Sequence, residues 1–280
     1  MAPAAAPGSV AEALAAATDA LRAARVDSPR HDAELLLAEA SGRSRAALVA
    51  APDEPLGPPE GRRFAELVRR RLRREPVAYI TGRRGFRRIE LAVDRRVLIP
   101  RPETELLVEL AVERAPRSVL DVGTGSGAIA LAVADELPGA AVTATDIYPE
   151  ALEVAAANAA ALGLAERVSL AAGSLPAAGS FDLLLANLPY VSAREWLELE
   201  PELREFEPRG ALTPGPTGLE AFEALLGELS ISSLRVGAIG LEVGQGQARI
   251  VRELVRRAGF EPTEIRRDLA GIERVVAGVR

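Results

Sequence analysis

The sequence predicts an α/β protein with a mostly parallel sheet, preceded by a small helical domain. Three observations carry this prediction. From residue 118 onward, short apolar runs alternate with helical stretches. Residues 1–75 show helical patterns separated by turn signals. Residues 77–99 contain β-branched and aromatic residues spaced by glycines. Alternation of strand and helix is typical of parallel sheets that helices cover on both faces.

The first 75 residues are predicted to form a domain of helices, because their apolar residues recur at helical spacing. The predicted helices are Val10–Arg25, His31–Ala40 and Gly61–Arg74, with prolines between the last two. The Ala/Pro-rich start, Met1–Pro7, is expected to be disordered. Residues 76–100 are predicted to be a hairpin linker, and residues 101–280 the second domain.

The second domain contains five apolar runs that are predicted as buried strands: Ser118–Val122, Ala141–Asp146, Val168–Ala172, Phe181–Ala186 and Ala238–Val243. The predicted helices between or after them are Gly127–Leu137, Pro149–Leu162, Thr217–Leu229 and Gln247–Ala258. A terminal strand pair is expected within Glu261–Val279. This order is the βαβ pattern of a doubly covered sheet.

Composition excludes several classes of chemistry. The chain has 280 residues, no cysteine and a single histidine, His31, which we expect at the surface or at a helix start. Disulfide scaffolds, thiolate zinc sites, thiol nucleophiles and multi-histidine metal sites are therefore excluded, and no metal is predicted. No apolar run approaches the roughly 20 residues of a membrane span, and no basic leader is visible. We expect a cytoplasmic protein without membrane contact.

The formal charge of −6 is unevenly distributed. Residues 1–100 carry 18 arginines and 13 acidic residues, whereas residues 101–280 carry 16 arginines and 27 acidic residues. Residues 62–96 alone have 13 arginines and 4 acidic residues. This segment is either a solvated face or a surface that attracts an anionic partner.

A glycine-rich turn follows the first strand of the second domain. The segment Asp121–Gly127 reads Asp-Val-Gly-Thr-Gly-Ser-Gly and leads into a helix. Such a turn lets the backbone approach a dinucleotide or another nucleoside cofactor, or it makes a tight connection. Asp146 ends the next strand about 20 residues later, where a carboxylate can accept both hydroxyls of a ribose. Together these features predict a nucleoside with a free ribose.

A second motif, Asn187-Leu188-Pro189-Tyr190, stands where the fourth predicted strand ends. Asn and Pro also favour ordinary turns. Because ligands bind beyond the carboxyl ends of parallel strands, we expect this tetrapeptide to face the same crevice as the glycine-rich turn.

These motifs resemble the S-adenosylmethionine loop, ribose acid and Asn-Pro-Pro-Tyr motif of amino-group methyltransferases. The segments Glu75–Gly82 and Val97–Glu105 resemble the linker of the peptide chain release factor glutamine methyltransferases, the HemK/PrmC family. Leu241–Gln247 and Asp268–Arg274 resemble that family's tail, as Asp32–Leu37 resembles part of its helical domain. The similarity covers the chain from about residue 10.

The resemblance implies a class I S-adenosylmethionine-dependent methyltransferase with a Rossmann-like seven-stranded sheet, an all-helical recognition domain and a β-hairpin linker. It implies methylation of the side-chain amide nitrogen of the glutamine in the Gly-Gly-Gln motif of bacterial release factors. We expect a monomer without direct nucleic-acid binding. An adenine N6-methyltransferase acting on RNA or DNA is the alternative, and a cofactor-binding regulator without catalysis is a third hypothesis.

The resemblance also assigns site residues. The motif Asn187, Leu188, Pro189 and Tyr190 is expected to be catalytic and, with Arg101, to hold the substrate. Cofactor contacts are expected from Asp121, Gly123, Thr124, Gly125, Ser126, Gly127, Asp146, Ser174, Leu175 and Asn187.

Three departures from the family pattern accompany this assignment. Leu188 replaces the usual proline, as it does in adenine dimethyltransferases that act on ribosomal RNA. Ser174-Leu175 stands where an acidic residue usually lies near the adenine, and Pro214–Leu219 lacks an aspartate that the family often carries. A backbone carbonyl at position 188 survives the change, whereas a serine hydroxyl binds an amine more weakly than a carboxylate.

Overall fold

The computed structural model describes residues 8–280, so the expected disorder of Met1–Pro7 lies outside the described residues. The chain divides into two compact units, one ending at Gly82 and the other beginning at Arg83. The division falls inside the predicted linker, residues 76–100. The domain limits drawn from the sequence stay a prediction.

The first unit consists of helices α1 to α5: Val10–Ala23, Pro29–Ser41, Arg45–Ala50, Pro58–Leu72 and Val77–Thr81. Ser9 and Glu12 form a capping box at the start of α1, and prolines occupy the first turns of α2 and α4. The helices enclose a core of buried apolar side chains that includes Leu14, Leu36 and Phe64. A buried ion pair at 2.7 Å joins Arg71 Nε of α4 to Asp32 Oδ2 of α2.

The second unit begins with a two-stranded hairpin, β1 Arg83–Phe86 and β2 Ile89–Ala92. Seven further strands follow: β3 Ser118–Val122, β4 Ala141–Asp146, β5 Val168–Ala172, β6 Ser180–Ala186, β7 Arg235–Glu242, β8 Thr263–Arg267 and β9 Glu273–Val279. They form one sheet in the order β5-β4-β3-β6-β7-β9-β8, and β9 is antiparallel to both of its neighbours.

The helices of the second unit are α6 Glu105–Arg114, α7 Ala128–Glu136, α8 Pro149–Ala161, α9 Ala193–Trp196, α10 Pro201–Phe206, α11 Glu220–Ile231 and α12 Ala248–Arg257. Side chains of α6, α7 and α8 belong to one buried apolar cluster, and those of α11 and α12 belong to another. Strand residues of the sheet enter both clusters. The sheet is therefore covered on both faces, and its central strands are mostly apolar.

Asn158 of α8 ties the hairpin to the loop after β3. Its Oδ1 accepts from the backbone N–H of Ala92 at 2.8 Å, and its Nδ2 donates to the carbonyls of Ala92 and Ser126 at 3.0 and 2.9 Å. The side chain is 3% exposed. A buried amide with three partners fixes the position of this loop, which carries the glycine-rich motif.

The predicted fold class is confirmed, and strands β3, β4 and β5 have the predicted limits. The hairpin prediction was wrong for residues 77–81, which form α5. Valine, tyrosine, isoleucine and threonine favour strands, but Pro76 precedes this segment and Gly82 ends it with φ 74°. Tyr79 and Ile80 are buried, so packing decides against the local preference. None of the helices in residues 8–280 has the length and apolar character that crossing a membrane would require.

Candidate active site

A cavity of about 580 Å³ lies in the second unit, at the carboxyl ends of the central strands. Its walls come from the loops after β3, β4, β5 and β6, from residues 96–104, and from residues 208–211 with α11. This volume lies within the ~300–1,000 Å³ range of small-molecule sites. The location is the ligand-binding edge of open parallel sheets.

The glycine-rich loop after β3 has three glycines with positive φ: Gly123 at 74°, Gly125 at 57° and Gly127 at 85°. A Cβ on Gly127 would lie 2.8 Å from Leu131 Cδ1 of α7, so a side chain there would clash with the helix that it begins. The loop thus turns from strand to helix within a few residues and leaves its backbone exposed to the cavity.

The buried side chain of Asp121 holds this loop through hydrogen bonds. Its carboxyl is buried, and Oδ2 accepts from the Thr124 hydroxyl at 2.6 Å and from the backbone N–H of Ala130 at 3.2 Å. Burial raises the pKa of Asp121 to about 7, although both hydrogen bonds oppose that rise. The residue supports the loop and does not line the cavity.

Asp146 points into the cavity from the end of β4. Its two oxygens accept from the backbone N–H groups of Gly125 and Tyr148, each at 2.9 Å. These bonds orient the carboxylate and leave lone pairs for ribose hydroxyls. The neighbouring Ile147 also lines the cavity and is 62% exposed, which offers an apolar surface to a nucleobase.

Ser174 and Leu175 separate in the structure. Ser174 lines the cavity, and its backbone carbonyl accepts from the Thr145 hydroxyl at 2.7 Å. Leu175 packs against the apolar cluster beneath α11 and α12. Of this pair, only Ser174 can present a polar group to a ligand in the cavity.

The Asn187–Tyr190 motif lies beside the glycine-rich loop, because β6 pairs with β3. Asn187 Nδ2 donates to the Thr104 hydroxyl oxygen at 2.9 Å, which leaves Asn187 Oδ1 as an acceptor. A Cβ on Gly123 would come within 3.3 Å of Leu188 Cδ2, so Leu188 packs closely over this glycine. The two motifs expected from the sequence therefore form one site.

Tyr190 is hydrogen-bonded through its side-chain hydroxyl and through its backbone carbonyl. Its hydroxyl donates to Glu242 Oε1 at 3.2 Å, and its carbonyl accepts from Gln247 Nε2 at 2.9 Å. Burial and the nearby Glu242 carboxyl raise the pKa of Tyr190 well above its usual value. Tyr190 therefore stays protonated throughout the neutral range, with its hydroxyl and its backbone carbonyl both hydrogen-bonded.

Arg101 forms an ion pair with Glu207, a carboxylate that also accepts from the backbone N–H of Ile99 at 3.1 Å. Glu207 is 5% exposed. The pair joins the segment before α6 to the segment after α10, and both segments contribute to the cavity wall. Arg101 itself is close enough to Tyr190 to affect its pKa but does not line the cavity.

Nine of the expected residues thus line one cavity: Gly123, Thr124, Gly125, Ser126, Asp146, Ser174, Asn187, Leu188 and Pro189. The other five expected residues do not line the cavity: Asp121, Gly127, Leu175, Tyr190 and Arg101. Thr104, Glu242 and Gln247 contact the motif but were not among the expected residues. Their sequence signal was present, because all three lie in segments that carry the family resemblance.

Similar folds occur in solved structures. The structure of the hMettl16 catalytic domain in complex with MAT2A 3′UTR hairpin 6 has a TM-score of 0.54 at 16% identity, over 68% of this chain and 75% of that one. A methyltransferase from Pyrococcus furiosus has a TM-score of 0.50 at 17% identity, over 68% and 87%. These similarities show that the second unit has the fold of class I methyltransferases.

Sequence relatives identify the family. A model described as the PrmC N-terminal domain matches residues 12–82, and one described as a methyltransferase small domain matches residues 102–200. The release factor glutamine methyltransferase of Rhodospirillum rubrum is 42% identical, over 93% of this chain and 82% of that protein. That of Bordetella pertussis is 45% identical, over 89% and 94%. The chain belongs to the release factor glutamine methyltransferase family.

Proposed function

We propose that this protein transfers a methyl group from S-adenosyl-L-methionine to the side-chain amide nitrogen, N5, of the glutamine in the Gly-Gly-Gln motif of peptide chain release factors. The observation that carries the proposal is the orientation of Asn187. Its Nδ2 is engaged by Thr104, so its Oδ1 is the atom available to a substrate N–H. Family relatives of similar length support the same activity.

The residues around the cavity fit this cofactor. Asp146 would accept the ribose hydroxyls, Ile147 would contact the adenine, and the backbone around Gly123 and Gly125 would allow close approach of the rest. Ser174 would replace the usual acidic residue near the adenine amine. When bound, S-adenosylmethionine supplies an electrophilic methyl group on its sulfonium.

The protein's part is to orient a weak nucleophile. An amide nitrogen delocalises its lone pair into the carbonyl, so rate must come from holding it in line with the methyl group. We propose that Asn187 Oδ1 and the Leu188 carbonyl accept the two N–H groups, while Tyr190 packs on the amide plane. Methylation replaces one N–H by N–CH₃ and releases one proton. Such orientation supplies several kcal/mol without a strong base.

Leu188 is compatible with this role, because a backbone carbonyl does not depend on the side chain. The contact of Leu188 with Gly123 restricts the loop, as a proline ring would by fixing φ. Pro189 and Arg101 complete the expected substrate site. We propose that the helical unit recognises the release factor and that the enzyme acts as a monomer in the cytoplasm, where its substrate works.

The test is a methyl-transfer assay with radiolabelled S-adenosylmethionine and three separate substrates. These are a purified release factor, the same factor with its Gly-Gly-Gln glutamine changed to alanine, and total ribosomal RNA. We expect label on the first factor alone. Label on the RNA would favour the adenine N6-methyltransferase alternative, and equal label on both factors would exclude the Gly-Gly-Gln glutamine as the acceptor.

A further inference from the structure

Glu242 is a buried carboxyl that has no role in the function proposed above. It lies at the end of β7 and is 1% exposed. Its Oε1 accepts from the Tyr190 hydroxyl at 3.2 Å, whereas Oε2 is reached by no hydrogen-bond donor in the described part of the chain. Because burying a carboxyl is costly, a residue in this position calls for a reason beyond packing.

Thr104 connects Glu242 to Asn187. The Thr104 hydroxyl oxygen accepts from Asn187 Nδ2 at 2.9 Å, so its own proton must point to another acceptor. The Tyr190 hydroxyl, through its hydrogen bond, and the nearby Thr104 hydroxyl, as a donor group, both lower the pKa of Glu242. No donor in the described part of the chain meets hydrogen-bond geometry at Oε2, so the Thr104 hydroxyl lies near the carboxyl without a full hydrogen bond to it.

The direction of these bonds matters more than their strength. An ionised carboxylate only accepts, so it fixes the Thr104 hydroxyl as a donor toward Glu242 and as an acceptor toward Asn187. The Asn187 amide is then held with Nδ2 toward Thr104 and Oδ1 toward the cavity. If the Thr104 hydroxyl donated to Asn187 instead, the amide would turn over and present two N–H groups to the substrate. A substrate amide needs acceptors there.

We infer that Glu242 is a positioning residue, which sets the hydrogen-bond polarity of Asn187 through Thr104 and holds the Tyr190 ring through its hydroxyl. The inference rests on the proposed function, since it concerns the acceptors that hold a substrate amide. It adds one residue that touches neither substrate nor cofactor but determines which atom of Asn187 meets the substrate.

The groups around Glu242 bring the pKa of its carboxyl close to neutral pH. The pKa of Glu242 is raised to about 7, chiefly by burial and also by Glu103, while the Thr104 and Tyr190 hydroxyls and the charge of Arg274 oppose that rise. Tyr190 is neutral at such pH, and Arg101 stands near it. The ionised form, which only accepts, therefore predominates above about pH 7, and the protonated form, which can donate, predominates below.

The experiment compares Glu242→Gln, Thr104→Val and Thr104→Ser in the full chain with a purified release factor. Glutamine keeps the shape but adds a donor, valine keeps the shape of threonine without the hydroxyl, and serine keeps the hydroxyl. We expect kcat to fall about 100-fold for the first two, as small misplacement at a reacting centre does. The serine variant should retain kcat within about threefold, as a conservative rescue of valine.

The double variant Glu242→Gln/Thr104→Val should lose no more than either single variant, because both act through one relay. Affinity for S-adenosylhomocysteine, measured by calorimetry, should stay within about threefold and shows that each variant is folded. Glu136→Gln is the matched control. It breaks a mostly buried ion pair with Arg87 away from the cavity and should leave kcat unchanged.

The pH dependence of kcat distinguishes a positioning role of Glu242 from a purely structural one, because a structural role would not change it. Wild-type kcat should rise with pH to a plateau through an apparent pKa near 7, and Glu242→Gln should abolish that step. Asp121, the other buried carboxyl with a pKa of about 7, is intact in the variant, so the lost step belongs to Glu242. An active wild type with Glu242→Gln within threefold of it overturns the inference. A wild type that does not methylate the release factor overturns the proposed function.

Discussion

The side-chain amide of Gln247 donates to the backbone carbonyl of Tyr190 at 2.9 Å, while its oxygen accepts from the N–H of Gly244 at 2.9 Å. The turn between β7 and α12 is thereby fastened to the Asn187–Tyr190 motif. A Cβ on Gly218 would lie 2.4 Å from the same Tyr190 carbonyl, so the 214–219 loop also packs closely against it. Contacts with segments that are distant in sequence therefore hold the backbone of the Asn187–Tyr190 motif in place.

Gln247→Ala should lower turnover more than cofactor affinity. Without the donor, the Tyr190 carbonyl loses its partner and the ring can shift relative to the substrate amide. We expect kcat to fall about 10-fold, which corresponds to roughly one hydrogen bond of ~1.4 kcal/mol. Gln245→Ala, an exposed glutamine of the same turn, is the control and should behave as wild type. Equal kcat in the two variants would contradict this role.

Asp146→Asn should weaken cofactor binding. The change replaces one acceptor oxygen by a donor, which faces a backbone N–H or a ribose hydroxyl. Loss of a charged hydrogen bond costs about 1.5–3 kcal/mol, so calorimetry should show an affinity for S-adenosylhomocysteine about 10- to 100-fold lower. Asp182→Asn is a matched control, because Asp182 also accepts from two backbone N–H groups, but at the start of β6. Its cofactor affinity should not change.

Asn187→Ala should separate catalysis from cofactor binding. Alanine removes the Oδ1 acceptor and the bond to Thr104, but leaves Asp146 and the glycine-rich loop intact. We expect turnover to fall by about 100-fold or more, while the affinity for S-adenosylhomocysteine stays near the wild-type value. Single-turnover assays and calorimetry measure the two quantities. Reduced affinity with unchanged turnover at saturation would contradict the assigned role.

Much of the catalytic unit was predictable because its signals are local. The strand before Gly123 is apolar, its turn needs glycines with positive φ, and Asp146 stands at a fixed distance along the chain. Parallel strands then place both features at one edge. The likeness of Asn187–Tyr190 to a family motif completed the prediction of the site.

The contacts of the supporting residues were not predictable from local signals, although these residues lie in segments that carry the family resemblance. Thr104 lies 83 residues from Asn187, and Glu242 lies 52 from Tyr190, so only the folded chain shows that they bond. Helix α6, with 10 residues, was missed as well, since no helix was predicted between the linker and β3. Tertiary packing likewise made a helix of residues 77–81, against the strand preference of their side chains.

Asp121 should make the protein less stable as pH rises from about 4 to 7. Burial raises its pKa from 3.8 to about 7 in the folded state. Between those values the unfolded chain has released the proton that the folded chain still holds, so unfolding becomes easier as pH rises. Glu242 acts in the same direction, from 4.5 to about 7. Urea unfolding of wild type and Asp121→Asn at several pH values measures the contribution.

The asparagine variant should show a smaller loss of stability over this interval than wild type, because it cannot ionise. Carboxyls with lowered pKa values, such as Glu136 beside Arg87, act below about pH 4.5 and in the opposite direction. They remain in both proteins and cancel in the comparison. Identical pH dependence in the two proteins would show that Asp121 does not titrate in this range.

Several arginines of the arginine-rich segment, residues 62–96, are engaged in contacts within the protein. Arg70 is paired with Glu75 through two hydrogen bonds, and Arg71 is buried against Asp32. Arg62, Arg69 and Arg73 of the first unit are exposed and take part in none of the described ion pairs. If this surface attracts acidic residues of a release factor, Arg69 and Arg73, which lie together at the end of α4, are available for it.

The double variant Arg69→Glu/Arg73→Glu should then raise KM for the release factor about 10-fold at low salt, with kcat and cofactor affinity unchanged. The effect should shrink as added salt screens the charges. Arg249→Glu/Arg252→Glu is the matched control, since it reverses two exposed arginines on α12, in the catalytic unit. An unchanged KM at low salt would assign the arginines to a solvated face. A rise of equal size in both double variants would indicate only a response to net charge, because each change shifts the charge of the protein by the same amount.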